Sequence, residues 1–153
     1  MRHTVISTVA AVVLVALSSP AVGFARSDSR SAAPKNPASV LNGVYRVSYT
    51  QKELIALGTS PQYAKTNYGT LTLWLNDGRY RLRQIPHGNG VCQGPFTVSG
   101  KTVAFDFNDV PHCNGVVKAT WSLGNGVLRL RVTFASDAGD KVLFSSKPLK
   151  KIG

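Results

Sequence analysis

The chain has 153 residues, with 18 Lys and Arg against 7 Asp and Glu, so its formal net charge is +11. This length predicts one domain that can bury a core without bound metals or many disulfides. The only glutamate is Glu53, and so few carboxylates argue against a hydrolase that uses a carboxylate pair. The basic balance predicts contact with anionic surfaces, or else simple solvation of a high-pI protein.

The first 25 residues have the pattern of a secretory signal peptide. A basic start precedes an apolar run over residues 5–17, which is shorter than the roughly 20 residues that span a membrane. Gly23-Phe24-Ala25 has small residues where a signal peptidase needs them, so we expect cleavage after Ala25. Ala21-Val22-Gly23 fits nearly as well, and a retained anchor is the other alternative. We therefore expect a secreted, extracellular protein without a transmembrane segment, a flexible polar leader over 26–39 and a folded domain over 40–153.

The domain is predicted to begin with a strand over 43–49 and a short helical segment. Residues 50–53 read Thr-Gln-Lys-Glu, a capping box in which the Thr50 and Glu53 side chains satisfy each other's backbone N–H groups. Gly58 can end this helix, and Ser60-Pro61 can begin a second turn through about residue 65.

Alternation with a period of two then predicts a series of strands. Residues 127–134 read V-L-R-L-R-V-T-F, which places apolar residues on one face and arginines on the other. The predicted strands cover 43–49, 69–75, 79–85, 91–98, 101–107, 115–123, 127–134 and 141–145, with a basic tail over 147–153. The predicted inward residues include Tyr45, Tyr49, Leu71, Leu73, Tyr80, Phe105, Phe107, Trp121, Leu130 and Phe134.

Short links between eight strands indicate an all-β, up-and-down antiparallel barrel, with a Greek-key sandwich as the alternative. In the barrel, every long connection falls on one rim: the helical segment and the loops near 86–90, 108–114 and 136–140. An even number of cysteines in an exported chain predicts a Cys92–Cys113 disulfide at that rim.

Several short motifs carry a resemblance to a known group of barrels. They are Gly43-Val44-Tyr45-Arg46, Glu53-Leu54 with Gly58, Asn67-Tyr68-Gly69-Thr70, Asp77-Gly78-Arg79, Cys92 with Gly94, Trp121 and Lys147-Pro148-Leu149-Lys150-Lys151-Ile152. Together with the helical segment after the first strand, they resemble the lipocalin/calycin-like β-barrel domains of secreted actinobacterial proteins. The resemblance implies a calycin-like barrel, and it implies no particular activity.

The first function hypothesis is a non-catalytic binding protein that holds a small apolar or amphipathic ligand inside the barrel. An eight-stranded barrel can be filled by side chains or can enclose one small ligand. Buried tyrosine and tryptophan need polar partners, which a ligand can supply. The residues predicted to bind it are Tyr45, Tyr80, Phe105 and Trp121.

The second hypothesis is a surface module that binds anionic extracellular polymers such as wall polymer, nucleic acid or glycan. Its predicted anion patch is Arg79, Arg81, Arg83, Arg129 and Arg131, with Trp74 beside the first three across a hairpin. Because residues 79–83 and 129–131 belong to distant strands, we expect them on separate parts of the barrel. A merely solvated face is the alternative.

Catalysis is the weakest hypothesis. His87, Asp109 and His112 fall in loops at the disulfide rim, where they would have to form an active site or a metal site. Solvated loop histidines are the simpler interpretation, so we expect no catalytic residues, no metal and no cofactor. The oligomeric state stays open.

Overall fold

Eight antiparallel strands close into one barrel, and their order around it is their order in the chain. The computed structural model describes residues 36–86, 91–108 and 113–153. The strands are β1 (Gly43–Tyr49), β2 (Gly69–Asn76), β3 (Arg79–Pro86), β4 (Val91–Ser99), β5 (Thr102–Asp106), β6 (Val116–Gly124), β7 (Val127–Ala135) and β8 (Leu149–Lys151). The helices are a 3-10 helix (Pro37–Leu41), α1 (Gln51–Ala56), α2 (Pro61–Asn67) and α3 (Ala138–Ser145). The predicted barrel is confirmed, and the predicted signal peptide lies outside the described residues.

The strand that closes the barrel is not the one that the alternation predicts. Residues 141–145, predicted as the eighth strand, belong to α3, and β8 lies in what was predicted to be a basic tail. Asp137 caps α3 by accepting from the Gly139 N–H. Gly139, Leu143 and Phe144 are the buried residues of α3, and their spacing is that of a helix. The five residues 141–145 alone are too few to show this spacing.

Helix α3 occupies the space beside β7 that the short β8 leaves open. The Ser145 hydroxyl oxygen accepts from the Val132 N–H of β7 at 2.9 Å. Phe144 enters the barrel end, where its ring centroid lies 6.3 Å from Phe105 and 6.1 Å from Phe107. Strand pairing therefore closes one half of the β7–β1 gap, and a helix covers the other half.

Phe134 points outward, which corrects its prediction as a core residue. Opposite β6, Ala119 pairs with Val132 and Lys118 pairs with Phe134, so Thr133 is an extra residue in β7. Such a bulge reverses the inward and outward positions that follow it. Phe134 is 53% exposed, with the Lys118 ammonium 5.9 Å from its ring centroid.

The two ends of the barrel have different covers. At one end, the 3-10 helix contacts the β2–β3 turn, where the Asn36 and Asn42 side chains hydrogen-bond to Asp77. This 3-10 helix begins at Pro37, before residue 40, the predicted start of the domain. At the other end lie α1, with the predicted Thr50–Glu53 capping box, α2 and α3. Within the described ranges, no helix is both long and apolar enough to cross a membrane.

Candidate functional site

The predicted disulfide is present at the helical end of the barrel. Cys92 in β4 is bonded to Cys113, and their Cα atoms lie 5.8 Å apart. His87, Asp109 and His112, which the catalytic hypothesis would need, lie outside the described residues. In the part of the chain that is described, no group of three or more His, Cys, Asp or Glu is placed to hold a metal ion.

The four residues predicted to bind an interior ligand are all buried inside the barrel. The Tyr45 hydroxyl donates to the Leu41 carbonyl at 3.0 Å, and the Tyr80 hydroxyl donates to the Asp106 carbonyl at 2.8 Å. The Phe105 ring packs edge-on against Tyr80, with centroids 5.7 Å apart. Side chains and the backbone thus supply partners for three of the four residues.

Trp121 differs from the other three. Its side chain is 9% exposed, and its Nε1–H is buried without a hydrogen-bond acceptor among the described residues. The Lys101 ammonium lies 4.4 Å from its ring centroid. A buried donor without an acceptor costs free energy, on the order of 1–3 kcal/mol, that a bound acceptor would recover.

Exposed basic side chains lie on the outside of four of five adjacent strands, and the fifth, β2, carries none. Going around the barrel, these strands are β7, β8, β1, β2 and β3, and none of their residues is Asp or Glu. We call their exposed, outward-facing basic side chains the cationic sector; Lys151 of β8 is also exposed but lies opposite the inward-facing Tyr45, so it is not counted. Its members are Arg46, Arg79, Arg81, Arg83, Arg129, Arg131 and Lys150.

The cationic sector contains both the arginines of β3 and the arginines of β7, which we expected from the sequence on separate parts of the barrel. Lys150 pairs with Val127 of β7 on one side and with Arg46 of β1 on the other. Arg46 in turn lies opposite Thr72, which lies opposite Arg83. The arginines of β3 and β7 are therefore the two margins of one surface, and Arg46 and Lys150 are its centre.

One aromatic side chain lies within this surface. Trp74 of β2 pairs with Arg81 of β3, and the guanidinium carbon is 5.5 Å from the indole centroid. The predicted proximity is confirmed. Trp74 is half-buried, so part of its ring remains open to a second stacking partner.

Lys147 borders the cationic sector, and its charge is paired with the carboxylate of Glu53. Its ammonium lies 2.7 Å from Glu53 Oε1 and donates to the Ser48 carbonyl at 3.0 Å. The hydrogen bond from Lys147, with one from the Thr50 N–H, lowers the pKa of Glu53 from 4.5 to about 2. Lys147 and Pro148 separate two surface grooves. One, of about 440 Å³, includes Arg129 and Arg131, and the other, of about 400 Å³, includes Arg46 and Lys150.

Sequence reasoning missed Arg46, Lys147 and Lys150. Arg46 could be predicted from the sequence, because the alternation in 43–49 places its side chain on the outer face of the strand, away from the inward-facing Tyr45 and Val47. Lys150 was not, because its outward position depends on residues 149–151 forming a strand. The role of Lys147 depends on its long-range contact with Glu53.

A separate polar cleft lies between α2 and the start of α3. Tyr63 lines this cleft, and its hydroxyl donates to Asp140 Oδ1 at 2.8 Å. Burial raises the pKa of Asp140 and, with the negative charge of Asp140, raises the pKa of Tyr63. A Cβ on Gly139 would lie 2.3 Å from the Tyr63 ring, so glycine is required for this approach. We interpret the pair as a structural link between the two helices.

In comparisons with known proteins, no family model, no curated protein and no solved structure matches the chain.

Proposed function

We propose that this protein is a secreted, non-catalytic binding module that attaches to anionic extracellular polymers through the cationic sector. One observation carries the proposal: seven exposed, outward-facing basic side chains lie on four of five adjacent strands that contain no acidic residue. Like charges on one face repel each other, and a polyanion relieves that repulsion while it releases its own counterions. Folding alone gives no reason to gather them there.

The spacing of the cations suits a repeating ligand. Arg79, Arg81 and Arg83 alternate along β3, so their Cα atoms are roughly 7 Å apart in an extended strand. Arg129 and Arg131 repeat this spacing in β7. A polymer with regularly spaced phosphates, sulfates or carboxylates can meet successive guanidinium groups, and Trp74 offers an aromatic face for a base or a ring.

The proposal includes secretion of the protein and its membership among calycin-like barrels. The signal-peptide pattern supports export, and the Cys92–Cys113 disulfide fits an oxidising compartment. The closed barrel with a helical segment between β1 and β2 supports placing the protein among calycin-like barrels. The motifs that resemble actinobacterial lipocalin-like domains support a bacterial extracellular setting.

The direct test is binding of a labelled oligothymidine of about 20 nucleotides, used as a model polyanion, followed by fluorescence anisotropy. We expect the double variant Arg81→Gln/Arg83→Gln to bind about tenfold more weakly than the unchanged protein. The matched control is Lys52→Gln/Lys65→Gln, which removes the same charge from the exposed faces of α1 and α2. If both variants lose the same affinity, or if the unchanged protein does not bind, the proposal is wrong.

The second candidate remains a small ligand inside the barrel, and one observation favours it. The Trp121 Nε1–H is a buried donor without a described acceptor, which a bound ligand can satisfy. Native mass spectrometry of protein secreted by its own host tests this candidate. An added mass that disappears on denaturation and is absent from Trp121→Phe would support it, and a bare polypeptide mass would count against it.

A further inference from the structure

We propose that the groove between β1 and β8 binds an anionic amphiphile, a molecule with one negatively charged headgroup and an alkyl chain. The groove has a volume of about 400 Å³ and lies on the outside of the barrel. Its lining residues are Arg46, Val47, Ser48, Lys147, Pro148, Lys150 and Ile152. This site differs from the barrel interior, and it does not depend on polymer binding.

The charge arrangement at the groove calls for an anion. Arg46 and Lys150 are directly opposite partners in the antiparallel β1–β8 pair, and both are exposed. Like charges in this position destabilise a strand pair, because directly opposite side chains leave neighbouring Cβ atoms only about 5 Å apart. A carboxylate or phosphate between them would bond to both and turn the repulsion into attraction.

Lys147 bounds the groove without competing for the anion. Its ammonium is already engaged by Glu53 Oε1 and by the Ser48 carbonyl. The headgroup position is therefore the Arg46–Lys150 pair, and Lys147 contributes mainly the apolar part of its side chain to the wall.

The remaining lining is suited to an alkyl chain. Pro148 is exposed, and Ile152 is 49% exposed, although isoleucine is usually buried in a core. The Ile152 N–H donates to the Val44 carbonyl at 2.8 Å, so the chain end is held at the barrel and keeps this side chain beside the groove. A polymer of phosphates has no use for such a surface, whereas a hydrocarbon chain gains free energy by covering it.

The test uses dodecanoate below its critical micelle concentration, titrated into the mature protein and followed by calorimetry. We expect saturable binding that weakens about fivefold in Ile152→Ser, which removes apolar contact, and by a similar factor in Lys150→Gln. Ile85→Ser is the matched control, because Ile85 is 51% exposed on β3 but does not line the groove. Acetate and dodecyltrimethylammonium should not bind, since one lacks the chain and the other has the wrong charge.

The proposal is overturned if dodecanoate does not bind, if Ile152→Ser binds it as well as the unchanged protein, or if the cationic surfactant binds equally well. Phosphatidylglycerol vesicles distinguish the source of the amphiphile: binding that depends on Ile152 supports a lipid, and dodecanoate binding alone supports a free fatty carboxylate. Failure here is distinct from failure of polymer binding, because Ile152→Ser leaves every member of the cationic sector in place.

Discussion

The Tyr49 hydroxyl holds the backbone of Lys147 at the point where the chain leaves α3 for β8. It accepts from the Lys147 N–H at 3.1 Å and donates to the Leu143 carbonyl at 2.9 Å. The Lys147 ammonium also lies 4.8 Å from the Tyr49 ring centroid. The last residue of β1 thereby positions the turn that lets β8 close the barrel and places Arg46 beside Lys150.

Tyr49→Phe should therefore destabilise the fold. The variant leaves the Leu143 carbonyl and the Lys147 N–H without their shared partner, which costs about 1–3 kcal/mol. Because burial raises the pKa of Tyr49 to about 12, its hydroxyl is protonated throughout the neutral range and the loss should not vary with pH there. Urea denaturation measures it, and an unchanged midpoint would contradict the bridging role.

The Glu53–Lys147 pair predicts an acid-sensitive contribution to stability. The folded-state pKa of Glu53 is about 2 against an ordinary value of 4.5, so the charged form is favoured by folding. This contribution is complete above the ordinary value and is lost as the pH falls from 4.5 towards 2. Melting temperatures measured across this window should fall less steeply for Glu53→Gln than for the unchanged protein. Equal slopes would show that the pairing does not contribute.

Gly94 should not tolerate even a methyl group. A Cβ at this position would lie 2.5 Å from the Asp106 carbonyl oxygen and 3.2 Å from the Tyr80 hydroxyl, the two atoms that hydrogen-bond across it. We expect Gly94→Ala to lower the free energy of unfolding by about 1–3 kcal/mol. Gly124→Ala is the control, because nothing lies within 4 Å of its added carbon. Similar unfolding midpoints for the two variants would contradict the crowding at Gly94.

The disulfide should stabilise the barrel by restricting the unfolded chain. Cys92 and Cys113 are 21 residues apart, and closing a loop of this length is worth about 3 kcal/mol in the chain-entropy model. Urea denaturation of Cys92→Ala/Cys113→Ala should show this loss, and reductant should have no further effect on the variant. An unfolding midpoint equal to that of the oxidised protein would count against a structural role.

Seven of the eight strands were predictable because each carries its own alternation and its own turn. The Asn76–Gly78 turn and the Thr50–Glu53 capping box are local signals, and the structure contains both. The eighth strand was not predictable in this way. Leu149–Lys151 is too short to show an alternation of apolar and polar residues. It forms a strand only because it pairs with β1 on one side and with β7 on the other. Phe134 was misplaced because a bulge depends on the partner strand.

The same contrast between local signals and long-range contacts applies to the candidate site. The arginines of β3 and β7 stand out in the sequence because each set repeats on one face of a single strand. Their union into one surface depends on barrel closure, which makes β8 the neighbour of β1. The Arg46–Lys150 pairing and the Lys147–Glu53 contact are long-range consequences of that closure.

The most direct test of the account is the salt dependence of oligothymidine binding. Because β3 and β7 lie at opposite margins of the cationic sector, one extended strand should meet about four of its cations, which predicts a slope near −3 for log K against log salt concentration. The slope should be shallower in Arg81→Gln/Arg83→Gln and unchanged in Lys52→Gln/Lys65→Gln. A slope near zero, or one that both variants alter equally, would contradict a function based on the cationic sector.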